Sequence, residues 1–383
     1  MNIGFVSDSF PMGGIAKVVT EIGNIIEEEN HCSYYLSASG NPSNYYEIPD
    51  SKLTIPEKEV SENKYEKLKN KVKKFVEMKL HNDDVDLSNY LQKQQKNIEQ
   101  FIYYRELDYL IVCRYDLSFL ILKLKKKFPN LKIIIWIHGP VEIYTQKKER
   151  KKYLYYYRQN LLESDNVVCL TNSDLQELNK IDTNINCTKI YNPISYKKIE
   201  PTEFLKREKS ILCVSRLDIR DKGIDSLIKL ADRLPKEWRI KLVGTGNESE
   251  LKEFDNLISK MKNRDKLEYL GSKKTNELKN IYQTSAIFVS PSLYEGFGLT
   301  LVEAMNFGLP IVTFETSGAR EVTEDGKFGI LVKNFSFENL VDECLHLIKN
   351  EDCIKKYTQL SYLRSNSFNI ENIKKQWLSL FKD

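Results

Sequence analysis

Between Ser290 and Pro310 two carboxylates, Glu295 and Glu303, bracket the run Gly296-Phe297-Gly298-Leu299-Thr300. An apolar strand ending at Ser290, two glycines and a Gly308-Leu309-Pro310 stop predict a strand, a loop and a helix over about 299–307. A helix N-terminus leaves amides unsatisfied and carries partial positive charge, so the N–H groups of Gly298, Leu299 and Thr300 suit a phosphate. Glu303 lies four residues beyond Leu299, on the same helix face. A carboxylate there does not serve the phosphate; it suits the paired hydroxyls of a ribose, and Glu295, in the loop, suits hydroxyls of a second sugar. The bland alternative is a pair of solvated Glu beside an ordinary helix start.

A second constellation is Val214-Ser215-Arg216-Leu217-Asp218-Ile219-Arg220-Asp221-Lys222-Gly223. It puts two cations at the mouth of a strand. Arg216 offers a planar fork and Lys222 a mobile point charge, a pair able to neutralise a diphosphate without a metal. Arg220 reads as a surface residue. Near the start, Asp8 to Ala16 follows a strand and contains Gly13 and Gly14, a turn common to any doubly wound domain. His138 ends the strand Ile133–Ile137 before Gly139-Pro140, where ligands bind in parallel sheets; His31, His81 and His346 have no such setting. Asp84-Val85-Asp86 has metal-binding D-x-D spacing but no strand before it, and Gly244-Thr245-Gly246 has Ser249 where a dinucleotide fingerprint needs its third glycine.

The string from Glu295 to Pro310 resembles the E-x7-E signature of family 4 glycosyltransferases of the bacterial surface-polysaccharide type, and the glycine loop, the Arg/Lys pair and a terminal helix follow in matching order over nearly the whole chain. The resemblance implies the GT-B fold: two Rossmann-like domains facing each other across a deep cleft, with the C-terminal helix returning to the first. It implies a retaining sugar transfer from a nucleotide-diphosphate donor, a UDP-sugar by family habit, with no metal and no cofactor. It gives Glu303 the donor ribose, Glu295 and His138 the donor sugar, Arg216 and Lys222 the diphosphate, Gly13 and Gly14 a loop beside diphosphate and acceptor, and Gly244 the border of the nucleotide. Gly296, Phe297, Gly298, Leu299 and Thr300 form the rest of the donor loop.

The elements that must position these residues are legible as apolar runs separated by helix-length segments: Ile3–Val6, Leu110–Cys113, Ile133–Ile137, Asn166–Leu170, Ile211–Ser215, Ile240–Gly244, Leu267–Tyr269, Ile287–Ser290 and Ile311–Phe314. Such alternation means α/β with parallel sheets. A length of 383 residues exceeds one core, which stops growing at about 250–300 residues. The expected domains are 1–199 for the acceptor and 200–366 for the nucleotide sugar, with a helix over 367–383 packing back on the first. Ile370, Ile373, Trp377, Leu380 and Phe381 make the docking stripe of that helix. The stretch from Tyr46 to Ile98 is the least strand-like and reads as inserted helices and loops.

Composition narrows the partners. A net charge of +4, shared evenly between the halves, excludes a nucleic-acid-binding domain. Seven cysteines without C-x-x-C spacing read as reduced core thiols. Without a signal-peptide layout or a membrane-length apolar run, the expected location is cytoplasmic, peripheral on the inner membrane face at most. Residues 64–80 carry seven Lys against two Glu, and Tyr65, Leu68, Val72, Phe75 and Val76 form an apolar stripe among them. Residues 147–158 carry six cations, with the aromatics Tyr153 to Tyr157. Two readings follow: an interfacial surface for an anionic membrane and a lipid-linked saccharide acceptor, or a helix packed on its own domain with its Lys in water. A saccharide or protein-linked glycan acceptor is equally compatible. A catalytically silent GT-B partner subunit and a sugar-nucleotide epimerase are the competing functions.

Overall fold

The computed structural model describes residues 1–60, 64–80, 84–194, 196 and 206–381. The domain boundary expected near residue 200, His81 and the side chain of Tyr65 lie outside the described residues. The chain divides into two units, Met1–Pro193 with Ile373–Asp383, and Ile194–Asn372.

The first unit holds seven strands: β1 Asn2–Ser7, β2 Cys32–Ser37, β3 Leu53–Thr54, β4 Tyr109–Val112, β5 Lys132–Trp136, β6 Asn166–Cys169 and β7 Cys187–Lys189. They pair in parallel in the order β3-β2-β1-β4-β5-β6-β7. In the second unit, β8 Ser210–Val214, β9 Arg239–Val243, β10 Leu267–Gly271, β11 Ile287–Ser290, β12 Ile311–Phe314 and β13 Ile330–Val332 pair in the order β10-β9-β8-β11-β12-β13. Both faces of each sheet are covered by helices, so the central strands are continuously apolar: Ile133, Ile134, Ile135 and Trp136 are all buried, as are Ile287, Phe288 and Val289.

The strand order reverses beside β1 in the first sheet and beside β8 in the second. In open α/β sheets the crevice outside the carboxyl ends at such a reversal is where ligands bind. In the second unit it is flanked by the loops that follow β8 and β11, which carry Arg216, Lys222 and Glu295. In the first it is flanked by the loops after β1 and β4.

The apolar stripe of the last helix, Ile370–Leu378, buries Ile373 and Trp377 in the first unit, and Phe381 just beyond the helix is buried there too. Trp377 meets Trp136 edge-on at 4.6 Å between ring centroids, Phe381 meets Tyr109 at 5.1 Å, and Lys374 bridges Glu28 and Glu29 at 3.2 and 2.5 Å. Among the described residues, no helix is long and apolar enough to cross a membrane.

The aromatics at 153–157 differ from their expected headgroup role. Tyr157 is fully buried and packs on Tyr115, Phe119 and Tyr144, and Tyr153 and Tyr156 are half-buried; Tyr155 alone of the five is exposed. The reason is register: residues 154–163 form a helix whose Tyr157–Leu161 face closes the core.

Candidate active site

The loop after β11 becomes the helix Leu299–Asn306 through Gly298, whose φ of 89° lies in the left-handed region. A side chain there would be strained by its backbone and would approach Leu301 Cδ1 at 2.8 Å. This turn aims the first-turn amides of Leu299 and Thr300, which have no intrahelical acceptor, out of the sheet's carboxyl edge. At the other end of the helix, the buried Arg207 donates to the carbonyls of Phe307 and Gly308 at 2.8 and 3.1 Å. Burial lowers its pKa to about 10, so the guanidinium remains charged and complements the negative helix terminus.

The loops after β8 and β11 are built onto each other. Leu293 N–H donates to the Asp221 carbonyl at 2.9 Å, and Gly223, at φ 63°, lies so close to Pro291 that a Cβ would meet its carbonyl oxygen at 2.0 Å. The contact brings together two residues 73 positions apart: Lys222 Nζ stands 2.7 Å from Glu295 Oε2, each side chain about a quarter exposed. Arg216 is 62% exposed, which leaves its fork accessible, and pairs with Asp218 at 3.0 Å and Glu250 at 3.8 Å. Gly244 follows β9 at φ 148°, where a Cβ would lie 1.7 Å from the Ser215 carbonyl oxygen. Only glycine lets these two strand ends approach.

Neither Glu of the motif is a solvated bystander. Glu303 is 3% exposed, and its Oε2 accepts a hydrogen bond from the Tyr282 hydroxyl at 2.9 Å. Burial and the adjacent carboxylate push the Tyr282 phenol well above its ordinary range, so it stays a donor. Its ring stacks on Phe307 at 5.2 Å with 3° between planes, which fixes the hydroxyl.

Sequence reasoning misses three contributors here: Tyr282 in the helix Thr275–Thr284, Arg207, and Gly318. Gly318 donates its N–H to the Glu295 carbonyl at 3.1 Å, and a Cβ on it would meet that oxygen at 2.7 Å. Gly318 therefore sets the height of the Glu295–Phe297 loop. The Thr316-Ser317-Gly318 helix start after β12 is the only hint that the sequence offers.

In the first unit, Gly13 caps the helix Gly14–Glu28, and its amide and carbonyl both contact the Tyr46 hydroxyl at 3.4 and 3.1 Å. His138 lines a cavity of about 380 Å³ at the carboxyl ends of β4 and β5, with Arg114, Tyr115, Trp136, Tyr144 and Arg150. Tyr115 and Tyr144 stack at 4.0 Å, and the Arg150 guanidinium lies 4.8 Å over Tyr115. Arg114 pairs with Asp8 at 2.8 Å and Asp116 at 3.5 Å. Burial raises the Asp8 pKa, Asp116 adds to the rise, and Arg114 opposes it. His138 Nε2 is closed off from solvent and has no hydrogen-bond partner among the described residues. Burial, then Arg114, pulls its pKa down to about 3, so the ring is neutral at pH 7. Asp86 of the D-x-D spacing instead caps a turn, accepting from Ser88 N–H at 2.9 Å.

Known proteins share this plan. The family described as "Glycosyl transferases group 1" matches residues 196–363. An uncharacterized glycosyltransferase of Haemophilus influenzae is 32% identical over 258 residues, covering 65% of this chain and 69% of the relative. The poly(ribitol-phosphate) alpha-N-acetylglucosaminyltransferase of Staphylococcus aureus is 29% identical over 244 residues, 61% of this chain and 46% of that protein. Among solved structures, sucrose-phosphate synthase from Thermosynechococcus elongatus superposes with a TM-score of 0.81 at 18% identity over 100% of this chain and 98% of its own. HepE of Anabaena, solved with UDP and glucose, superposes with a TM-score of 0.76 at 15% identity over 99% of this chain and 98% of its own. With two parallel sheets, the paired motif loops of the second and a relative matched over more than two thirds of its length, the chain belongs to the group 1 glycosyltransferases and has the GT-B fold.

Proposed function

We propose that the second unit binds a nucleotide-diphosphate sugar, a UDP-sugar by analogy with HepE, and that the chain transfers the sugar with retention of configuration and without a metal. The observation that carries this reading is the meeting of Lys222 and Glu295 beside the N-terminus of the Leu299–Asn306 helix. Glycosyl transfer develops positive charge at the anomeric carbon and negative charge on the leaving diphosphate. Lys222, Arg216 and the Leu299 and Thr300 amides are cationic or amide donors grouped where a leaving diphosphate needs them, which is electrostatic stabilisation by preorganised groups. Glu303, held by Tyr282, takes the ribose hydroxyls, and Glu295 takes a hydroxyl of the donor sugar.

The acceptor is a saccharide, a lipid-linked saccharide or a protein-linked glycan; a lipid-linked one is met at the face of an anionic membrane. The stacked Tyr115–Tyr144 pair and Arg150 in the first unit are the groups suited to a sugar ring of the acceptor, while His138, neutral at pH 7, keeps the donor-sugar contact that the family resemblance gives it.

Calorimetry with UDP, GDP, ADP and their sugars, with and without EDTA and on Lys222→Ala, tests this reading. Tight binding of one nucleotide class, insensitive to EDTA and weakened in the variant, is the expected result. Binding that vanishes with EDTA overturns metal independence, and no binding to any nucleotide makes a silent partner subunit the better account.

A further inference from the structure

The helix Lys64–Leu80 presents its two faces in the reverse of the usual order. Its polar face is the one turned to the protein: Glu77 accepts from Tyr90 O–H at 2.6 Å and Asp86 N–H at 2.9 Å, Glu66 pairs with Lys93 at 3.7 Å, and Lys73 and Lys74 lie over the Tyr90 ring. The opposite face carries Leu68, Val72, Phe75, Val76 and Leu80, exposed by 62, 56, 57, 49 and 73%. A helix of a water-facing domain buries such a stripe. Here the alternative of a helix packed apolar side inward is excluded by the exposures themselves.

Exposed lysines border and punctuate the stripe. Lys69 and Lys79 fall within it and Lys71 beside it, and the Lys79 ammonium lies 4.8 Å from the Phe75 ring centroid, its stem along the apolar surface. Both acidic residues of the helix, Glu66 and Glu77, are engaged on the protein side. The outer face is therefore apolar and cationic with no counter-charge of its own, the pattern of an interfacial helix whose apolar residues enter the headgroup boundary while lysines meet anionic headgroups.

We infer that this helix docks the chain onto an anionic lipid surface. A second copy of the chain is the weaker occupant: two such faces brought together would oppose lysine to lysine, whereas acidic headgroups complement them. The inference stands apart from the donor assignment, because lipid binding is measured without nucleotide and its failure leaves sugar transfer untouched.

Sedimentation with vesicles of phosphatidylcholine alone or mixed with phosphatidylglycerol, at low and high salt, tests it. The full chain is expected to bind only the anionic vesicles and to be released by salt. Val72→Glu/Phe75→Glu/Val76→Glu, all at exposed positions, is expected to abolish binding with an unchanged melting curve. Lys69→Gln/Lys71→Gln/Lys79→Gln, which keeps the apolar stripe, is expected to weaken it on the order of a hundredfold. Failure of the full chain to bind anionic vesicles at low salt, or binding undiminished in both variants, overturns the inference. Self-association in solution that the Glu variant abolishes, without vesicle binding, makes a second copy the occupant.

Discussion

The Lys222 ammonium sits 2.7 Å from Glu295, and a diphosphate placed on the same loop competes with that carboxylate for it. Glu295→Gln removes the competitor and a negative charge from the diphosphate's surroundings. With both side chains partly in water the pair contributes about 0.2–1 kcal/mol, so UDP is expected to bind up to about fivefold more tightly. Transfer is expected to fall about tenfold or more, because a hydrogen bond to a charged acceptor is worth about 1.5–3 kcal/mol. Calorimetry against an initial-rate assay separates the two, and weaker UDP binding would remove the competition argument. Tyr282→Phe leaves buried Glu303 without one donor, at about 1–3 kcal/mol of stability, and is expected to weaken donor binding along with Glu303→Ala. His138 supplies a pH dependence whose sign is fixed. Its folded pKa of about 3 lies below the unfolded value of about 6.5, so between those values the unfolded chain binds the extra proton. Stability falls as pH drops through that window, by up to about 1.4 kcal/mol per pH unit, and His138→Gln flattens this part of the urea-melt profile. An unchanged slope in the variant would mean that the ring titrates freely.

At the level of elements, glycines that look alike in sequence do unlike work. Gly244 has a left-handed φ and the Ser215 carbonyl 1.7 Å from where a Cβ would sit, and Gly223 has Pro291 O at 2.0 Å. Gly13 has an extended φ of 162° and nothing within 4 Å. Gly244→Ala and Gly223→Ala should each lose about 1–3 kcal/mol or more, whereas Gly13→Ala stays within about 0.5 kcal/mol; chemical denaturation of the three measures it. The same contrast shows what a sequence discloses. Glu295, Gly298 and Glu303 share one loop and helix, so spacing alone places them together, and the long buried strands read as apolar runs. Cys32–Ser37, next to the edge strand and rich in Ser and Tyr, does not, and neither do the two- and three-residue strands Leu53–Thr54, Cys187–Lys189 and Ile330–Val332, which are too short to show a pattern. Tyr282, Arg207 and Gly318 reach the site only through contacts formed after the sheet has closed, and Asp8 meets Arg114 across adjacent strands more than a hundred residues apart. Local periodicity holds no record of such pairs.

At the scale of the whole chain, each unit has its own apolar core, yet the first is completed by residues from the far end of the sequence. Trp377, fully buried, covers Trp136 beside His138, and Phe381 covers Tyr109. The first unit cannot finish packing until the chain has passed through the second and returned. Trp377→Ala removes a large buried ring whose loss costs about 3–5 kcal/mol, and the cost falls on the first unit alone. The chain's three tryptophans make this measurable, since Trp136 and Trp377 lie in the first unit and Trp238 in the second. In a Trp238→Phe background the fluorescence melt reports the first unit; Trp377→Ala should lower that transition by several degrees and leave the Trp136 signal as its probe. If the second unit binds UDP as proposed, saturating UDP should restore none of the loss. A Trp136 transition that the substitution does not move would mean that the terminal helix is a passive covering, and one that UDP restores would mean that donor binding reaches the first unit's core.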